Sequence, residues 1–267
     1  MKLFRSQAQW PLAVFTFLVL SACGGSNGGP SGGSPEILDS LAPNTNSIDR
    51  SEPIQTQVLL LTGGGTRDSE NQALQSMLSQ RSLTFRVVSF TELNALPQED
   101  LAKFGVILWP GGNFSQQTRA LNAQTRERLR YAILENGVGF LGFGAGAWAA
   151  GSTSTGLGLV RERLSVFEPR SRGKSGTQVS IDFPDGSTRT LAWREGPELG
   201  SWGNVMGRYP NGKTAAAEGR AGKAHVLLSG PEPQGAITQR NRNSRPTETN
   251  LDLAYAWIQA VLNPSHP

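Results

Sequence analysis

Three apolar runs that stop in glycine constrain this chain more than any other feature. "QVLLLTGGG" begins at Gln57, "FGVILWPGG" spans Phe104 to Gly112, and "VGFLGFGAG" runs from Val138 into a glycine-rich corner. A short apolar run without alternation suits a strand covered on both faces, the environment of a central strand in a parallel sheet. "LTFRVVSF" reads as a further strand. Between the runs the apolar residues change to helical spacing. Ala73, Leu74, Met77 and Leu78 mark a helix over Ser69–Arg81, while Leu121, Leu129, Ile133 and Leu134 mark another over Thr118–Asn136, ended by Gly137. Strand and helix alternate, so the expected fold is α/β, a mostly parallel sheet flanked by helices. Such sheets bind ligands at the carboxyl ends of their strands. Here those ends are Gly63–Gly65, Gly111–Gly112 and Gly142–Gly146.

The second half is less regular. "TQVSIDF" and "STRTLAW" flank "PDG" and predict a hairpin. "KAHVLLSG" reads as another buried strand. Leu251 to Leu262 carries Leu253, Ala254, Trp257, Ile258, Val261 and Leu262, which predicts an amphipathic closing helix. Residues 57–263 are expected to form one domain.

The amino end has a different texture. Lys2 and Arg5 precede an apolar run, Pro11 to Leu20, of about ten residues, which is too short to span a bilayer. The run ends in "LSAC", and Cys23 is the only cysteine of the chain. This order resembles the lipobox of bacterial lipoproteins. The resemblance implies a signal peptide over 1–22, acylation of Cys23, and membrane attachment through that lipid. Residues 23–56, rich in Gly, Ser, Pro and Asn, then read as a flexible tether. With Gly24 rather than aspartate after the cysteine, the lipoprotein resemblance further implies the outer membrane of the bacterial envelope, facing the periplasm. Loss of Lys2 and Arg5 with the leader would lower the formal charge of +4 by two. The remaining charge gives no reason to expect a nucleic-acid partner. Arginines cluster at Arg161, Arg163, Arg170 and Arg172 and at Arg240, Arg242 and Arg245. They read as solvated loop faces rather than as sites for anionic lipid or polysaccharide.

"VILWPGG", then a helix, then "GFLGFGAGAWAAG", then "GKAHVLLSGPEPQG" resembles the class I glutamine amidotransferase-like fold, a flavodoxin-like arrangement, in the form found at the amino end of some biotin–protein ligases. The resemblance implies a nucleophile corner at Gly144, a histidine position at Glu232 and a glutamate position at Gln234. None of the three carries the side chain that amide hydrolysis would need. His225 lies inside an apolar run and reads as structural, and His266 lies next to the terminus. Ser152 and Ser154 fall beyond the corner. No metal-ligand spacing and no cofactor motif is present, and "GGGTRDSE" lacks the lysine of a phosphate-binding loop. Asp68 or Ser69 is expected to cap the helix that follows it.

These readings lead to a membrane-anchored, catalytically inactive binding or scaffold protein, with no cofactor and no metal. Its candidate ligand contacts are Gly111, Gly112, Asn113, Gly144, Ala145, Trp148, Arg194, Glu195 and Glu232, with Trp109, Trp193 and Trp202 as possible walls. The alternative is an envelope hydrolase or amidase-like enzyme with a relocated catalytic group such as Glu232. A structural envelope protein without a ligand is a third reading.

Overall fold

The three apolar runs become adjacent strands. The computed structural model describes residue 50 and residues 52–168, 177–237 and 249–264, all within the unit Asn44–Pro267. Thr56–Thr62 (β1) pairs in parallel with Phe85–Ser89 (β2) and with Phe104–Trp109 (β3). Gly139–Phe143 (β4) lies parallel to β3. Seven more strands follow: Ser165–Val166 (β5), Thr177–Asp182 (β6), Thr188–Trp193 (β7), Pro197–Glu198 (β8), Asn204–Arg208 (β9), Thr214–Ala221 (β10) and Ala224–Ser229 (β11). The large sheet has the order β2-β1-β3-β4-β11-β10-β9-β6-β7, while β5 and β8 form a separate two-stranded ribbon.

The sheet changes character at β11. That strand is parallel to β4 but antiparallel to β10, and each pairing beyond it is antiparallel. The expectation of a mostly parallel sheet therefore holds only from β2 to β11. The physical reason is connection length. A tight turn at Gly222–Lys223 joins β10 to β11, and "PDG" joins β6 to β7, and such short links permit only antiparallel neighbours.

Helices cover the parallel half on both faces. They are Asp68–Gln80 (α1), Gln98–Leu101 (α2), Phe114–Arg119 (α3), Ala123–Leu134 (α4), Ala145–Ala149 (α5) and Leu251–Leu262 (α6). Alternate residues of each strand serve opposite layers. Val58, Leu60, Val106 and Leu108 pack with Leu74, Met77 and Leu78 of α1 and with Trp257, Ile258 and Val261 of α6. Leu59, Leu61, Ile107 and Phe140 pack with Leu129, Ala132 and Ile133 of α4 and with Ala147 and Ala149 of α5. Burying one such aliphatic side chain contributes roughly 1.5–3 kcal/mol, so these two layers dominate the stability of the parallel half. A third cluster, Phe167, Val179, Ile181, Leu191, Trp193, Tyr209 and Ala215, supports the antiparallel half.

Two expectations about helices are corrected. The helix expected over Thr118–Asn136 is two helices, because Asn122 interrupts it. The Asn122 side chain accepts from the Thr125 backbone N–H at 2.7 Å and starts α4 afresh. At α1 the N-cap position is Arg67, with no side-chain cap, so neither Asp68 nor Ser69 caps it.

The turn from β4 into α5 is packed without room for a side chain. A methyl group on Gly146 would run into the backbone carbonyl of Trp109. Replacing a helical glycine by alanine ordinarily gains up to about 1 kcal/mol, but overpacking against a backbone atom costs about 1–3 kcal/mol. Gly146→Ala is therefore expected to lower stability, read as a lower urea midpoint with an unchanged m-value.

Candidate active site

Gly144 follows β4 at the carboxyl end of the parallel strands. Its φ of +50° and ψ of −104° lie outside the range comfortable for a side chain. This is the geometry of a strand-to-helix elbow of the kind that presents a nucleophile in some enzymes. Its N–H donates to the Ser229 carbonyl at 2.8 Å, which ties the corner to the end of β11. The helix α5 that follows has only five residues.

Glu232 reaches this corner from the other side. The chain leaves β11, and the Glu232 N–H donates to the Ala192 carbonyl on β7 at 2.8 Å. Its side chain is fully buried. A methyl group on Gly144 would stand 2.6 Å from Glu232 Oε1, and one on Gly111 would run into the same carboxyl. The carboxyl thus occupies the space over the elbow that an elbow side chain would otherwise fill, and both glycines are needed to admit it.

Arg194 sets the charge balance. Its Nη1 lies 2.6 Å from Glu232 Oε2 and 2.6 Å from Glu70 Oε1, so one guanidinium bridges two carboxylates. Arg67 approaches Glu70 at 3.9 Å. Burial pushes the Glu232 pKa up to about 7, although Arg194 pulls it down; Glu70 adds to the rise. Glu232 Oε1 has no hydrogen-bond partner among the described residues. A carboxyl that titrates near neutrality with one oxygen free is suited to donate and accept a proton.

A cleft of about 380 Å³ opens beside the corner. Gly112, Asn113, Ala145, Trp148, Trp193 and Glu195 are among its lining residues. The Trp148 indole donates to the Glu195 carbonyl at 2.6 Å, and Glu195 has a φ of +65°, the left-handed region. Together they hold the strap Arg194–Gly196 against the cleft.

The structure gathers most of the expected residues here. Gly112, Asn113, Ala145, Trp148 and Glu195 line the cleft, while Gly111, Gly144, Arg194 and Glu232 form the layer around the buried carboxyl. Asn113 also has a local role, since its side chain accepts from the Gln116 N–H and caps α3. Of the possible tryptophan walls, Trp148 and Trp193 line the cleft, whereas Trp109 and Trp202 belong to the core. His225 pairs with Glu218 at 3.1 Å on the adjacent strand β10, a structural contact. Gln234 is buried in the turn after Glu232, with neither end of its amide bonded among the described residues. Cys23, Arg170, Arg172, Arg240, Arg242, Arg245 and His266 lie outside the described residues, as does the expected tether up to residue 49.

Two residues of the site were not foreseen from sequence. Glu70 supplies the second carboxylate from the first turn of α1. Gln117 is fully buried; it accepts from the Trp109 indole at 2.7 Å and donates to the Gly111 carbonyl at 3.0 Å, which fixes the loop over Glu232. Among the described residues no group of three or more His, Cys, Asp or Glu is placed to hold a metal ion.

No family model matches the chain, and no curated protein matches it. Among solved structures it is similar to the exo-β-1,4-mannosidase Op5Man5 from Opitutaceae bacterium strain TAV5, with a TM-score of 0.47 and 10% identity. The match covers 77% of this chain and 33% of that one, so the chain spans about a third of the neighbour's length. Two expectations are corrected accordingly. The amidotransferase-like resemblance is withdrawn, because no family model supports it. The inactive scaffold reading is withdrawn with it. Its ground was the missing side chains of that family, and the elbow of this chain is instead filled by a carboxyl. At this level of similarity the neighbour's activity is not transferred to this chain.

Proposed function

We propose that the protein is a hydrolase in which Glu232 is the acid–base group, working at the Gly144 corner. The observation that carries this reading is the Glu232 carboxyl itself. It is buried against the elbow with Oε1 unbonded and a pKa of about 7. Half-protonated at neutral pH, it gives its proton to the leaving oxygen or nitrogen of a scissile bond and recovers a proton from the attacking water. Arg194 holds Oε2 and so directs Oε1 toward the corner. The substrate group lies in the cleft between Asn113, Trp148 and Trp193. Because Glu232 is enclosed, turnover requires the Arg194–Gly196 strap to open. The test is a panel of alkyl esters, anilides and alkyl glycosides. Turnover is expected on one class and is expected to fall at least 100-fold in Glu232→Gln. Turnover that is indifferent to this substitution sinks the reading.

We further propose attachment of the chain to the bacterial envelope through a lipid on Cys23. The support is the order of basic start, apolar run and Leu-Ser-Ala-Cys in the sequence. Labelled palmitate is expected to enter the wild-type protein during expression and to be absent from Cys23→Ser. Equal labelling of both would exclude the anchor. No helix among the described residues is long and apolar enough to cross a membrane.

A further inference from the structure

A second cavity, of about 580 Å³, lies between the N-terminal half of α4 and the loop that follows α5. None of its lining residues lines the cleft beside Gly144. Arg126, Arg130 and Arg161 converge on it, with Ser152, Thr153 and Ser154 on the opposite wall and Glu127 as the one acidic side chain. Glu162 is the chain neighbour of Arg161 and is exposed.

Arg126 and Arg130 are four residues apart and share a face of α4, where like charges repel. None of the three arginines forms an ion pair among the described residues; the pairs present involve Arg67, Lys103, Arg189, Arg194 and His225. Two of the guanidinium groups are nevertheless fixed. Arg126 Nη1 donates to the Leu121 carbonyl at 2.7 Å, and Arg130 Nη1 donates to the Leu157 carbonyl at 2.9 Å. Each guanidinium has five N–H donors, so this anchoring leaves donors on both groups for a ligand. Ser152 donates to the Val160 carbonyl at 2.5 Å and thereby holds the loop that carries Arg161. Three guanidinium groups without an ion pair among the described residues, two of them pre-oriented, surround a hydroxyl-bearing hollow and match the planar, multidentate way arginine recognises phosphate oxygens.

We infer that this hollow is a binding site for a phosphate-bearing ligand, separate from the cleft beside Gly144.

Calorimetric titration with inorganic phosphate tests the site directly. The wild-type protein is expected to show saturable binding of one phosphate per chain that weakens with added salt. Arg161→Ala and Arg126→Gln are each expected to weaken it at least tenfold. Arg130→Lys, which keeps the charge but loses the fork, is expected to give an intermediate loss. No saturable heat, or heat unchanged in both Arg161→Ala and Arg126→Gln, overturns the inference. Sedimentation with phosphatidylglycerol vesicles, against phosphatidylcholine vesicles, separates the sources of the phosphate. Vesicle binding that phosphate displaces and Arg161→Ala removes assigns the site to a lipid headgroup. Phosphate binding without vesicle binding assigns it to a free phosphate ester. Hydrolytic turnover is expected to be unchanged in Arg161→Ala, so failure here and failure of the hydrolase reading are told apart.

Discussion

Arg194→Ala is expected to lower the free energy of unfolding by about 3–5 kcal/mol, the cost typical of removing one partner from a buried ionic group. The reasoning starts from burial. The Glu232 side chain is fully enclosed, the Glu70 side chain is 6% exposed, and Arg194 is 15% exposed. Its one Nη1 meets both carboxylates at 2.6 Å. Without it, two carboxyl groups share an interior site in which, among the described residues, only Arg67, 3.9 Å from Glu70, opposes them. The attraction of Arg194 holds the Glu232 pKa down against burial, so its loss drives that pKa higher still. One carboxyl then stays protonated, which limits the damage at low pH. The deficit measured by urea unfolding is accordingly expected to be larger at pH 8 than at pH 5. The double variant Arg194→Ala/Glu232→Gln, which has one buried charge fewer, is expected to recover part of the loss. A deficit below 1 kcal/mol at pH 8 would mean that water screens these groups and that the network is not sealed.

The parallel half of this fold is legible in the sequence because local and long-range signals agree there. Val58–Leu61, Val106–Leu108 and Phe140–Phe143 are apolar on both faces since helices cover both faces, and glycine marks where each strand must turn. The antiparallel half is harder to read. β9, "NVMGR", and the Ala-rich β10 have neither a continuous apolar run nor strict alternation. They are fixed by pairing to β11 and β6, contacts that no local pattern announces. The site divides in the same way. Gly111, Gly144 and Glu232 are visible because strand ends and turn residues are visible. Glu70 is not: a first-turn acid on a helix ordinarily favours the helix dipole from the surface, and only the arrival of Arg194 from β7 explains why it is buried. Gln117 is hidden for a similar reason, as its amide spans two groups brought together only by the turn after β3. Missing amidotransferase-type side chains at Gly144 and Glu232 suggested lost chemistry. The structure gives a different account, in which the small residue and the acid are complementary, since Gly144 is small where the Glu232 carboxyl lies.

Glu232→Gln is expected to reduce kcat/KM by about 10²- to 10⁴-fold, the usual contribution of a positioned acid or base, equivalent to roughly 3–5 kcal/mol of barrier at 1.36 kcal/mol per tenfold. The substitution keeps the shape and removes the titration, so the pH dependence carries the diagnosis. Glu232 acts as an acid only while protonated. With its pKa raised to about 7, the wild-type rate is expected to fall as pH rises through about 7, and that limb is expected to vanish in Glu232→Gln. Stability follows the same group with a definite sign. The folded-state pKa lies above the ordinary carboxyl value, so between about 4.5 and 7 the native protein keeps a proton that the unfolded chain has released. The contribution of Glu232 to stability is therefore fully present below about 4.5 and is lost as pH rises through 7; in Glu232→Gln this part of the pH dependence is expected to flatten. The leaving group gives a further discrimination. An alkoxide must be protonated as it departs, whereas a nitrophenolate departs unaided. The defect of Glu232→Gln is expected to be large on alkyl substrates and small on nitrophenyl substrates. An equal defect on both would show that the carboxyl does not protonate the leaving group.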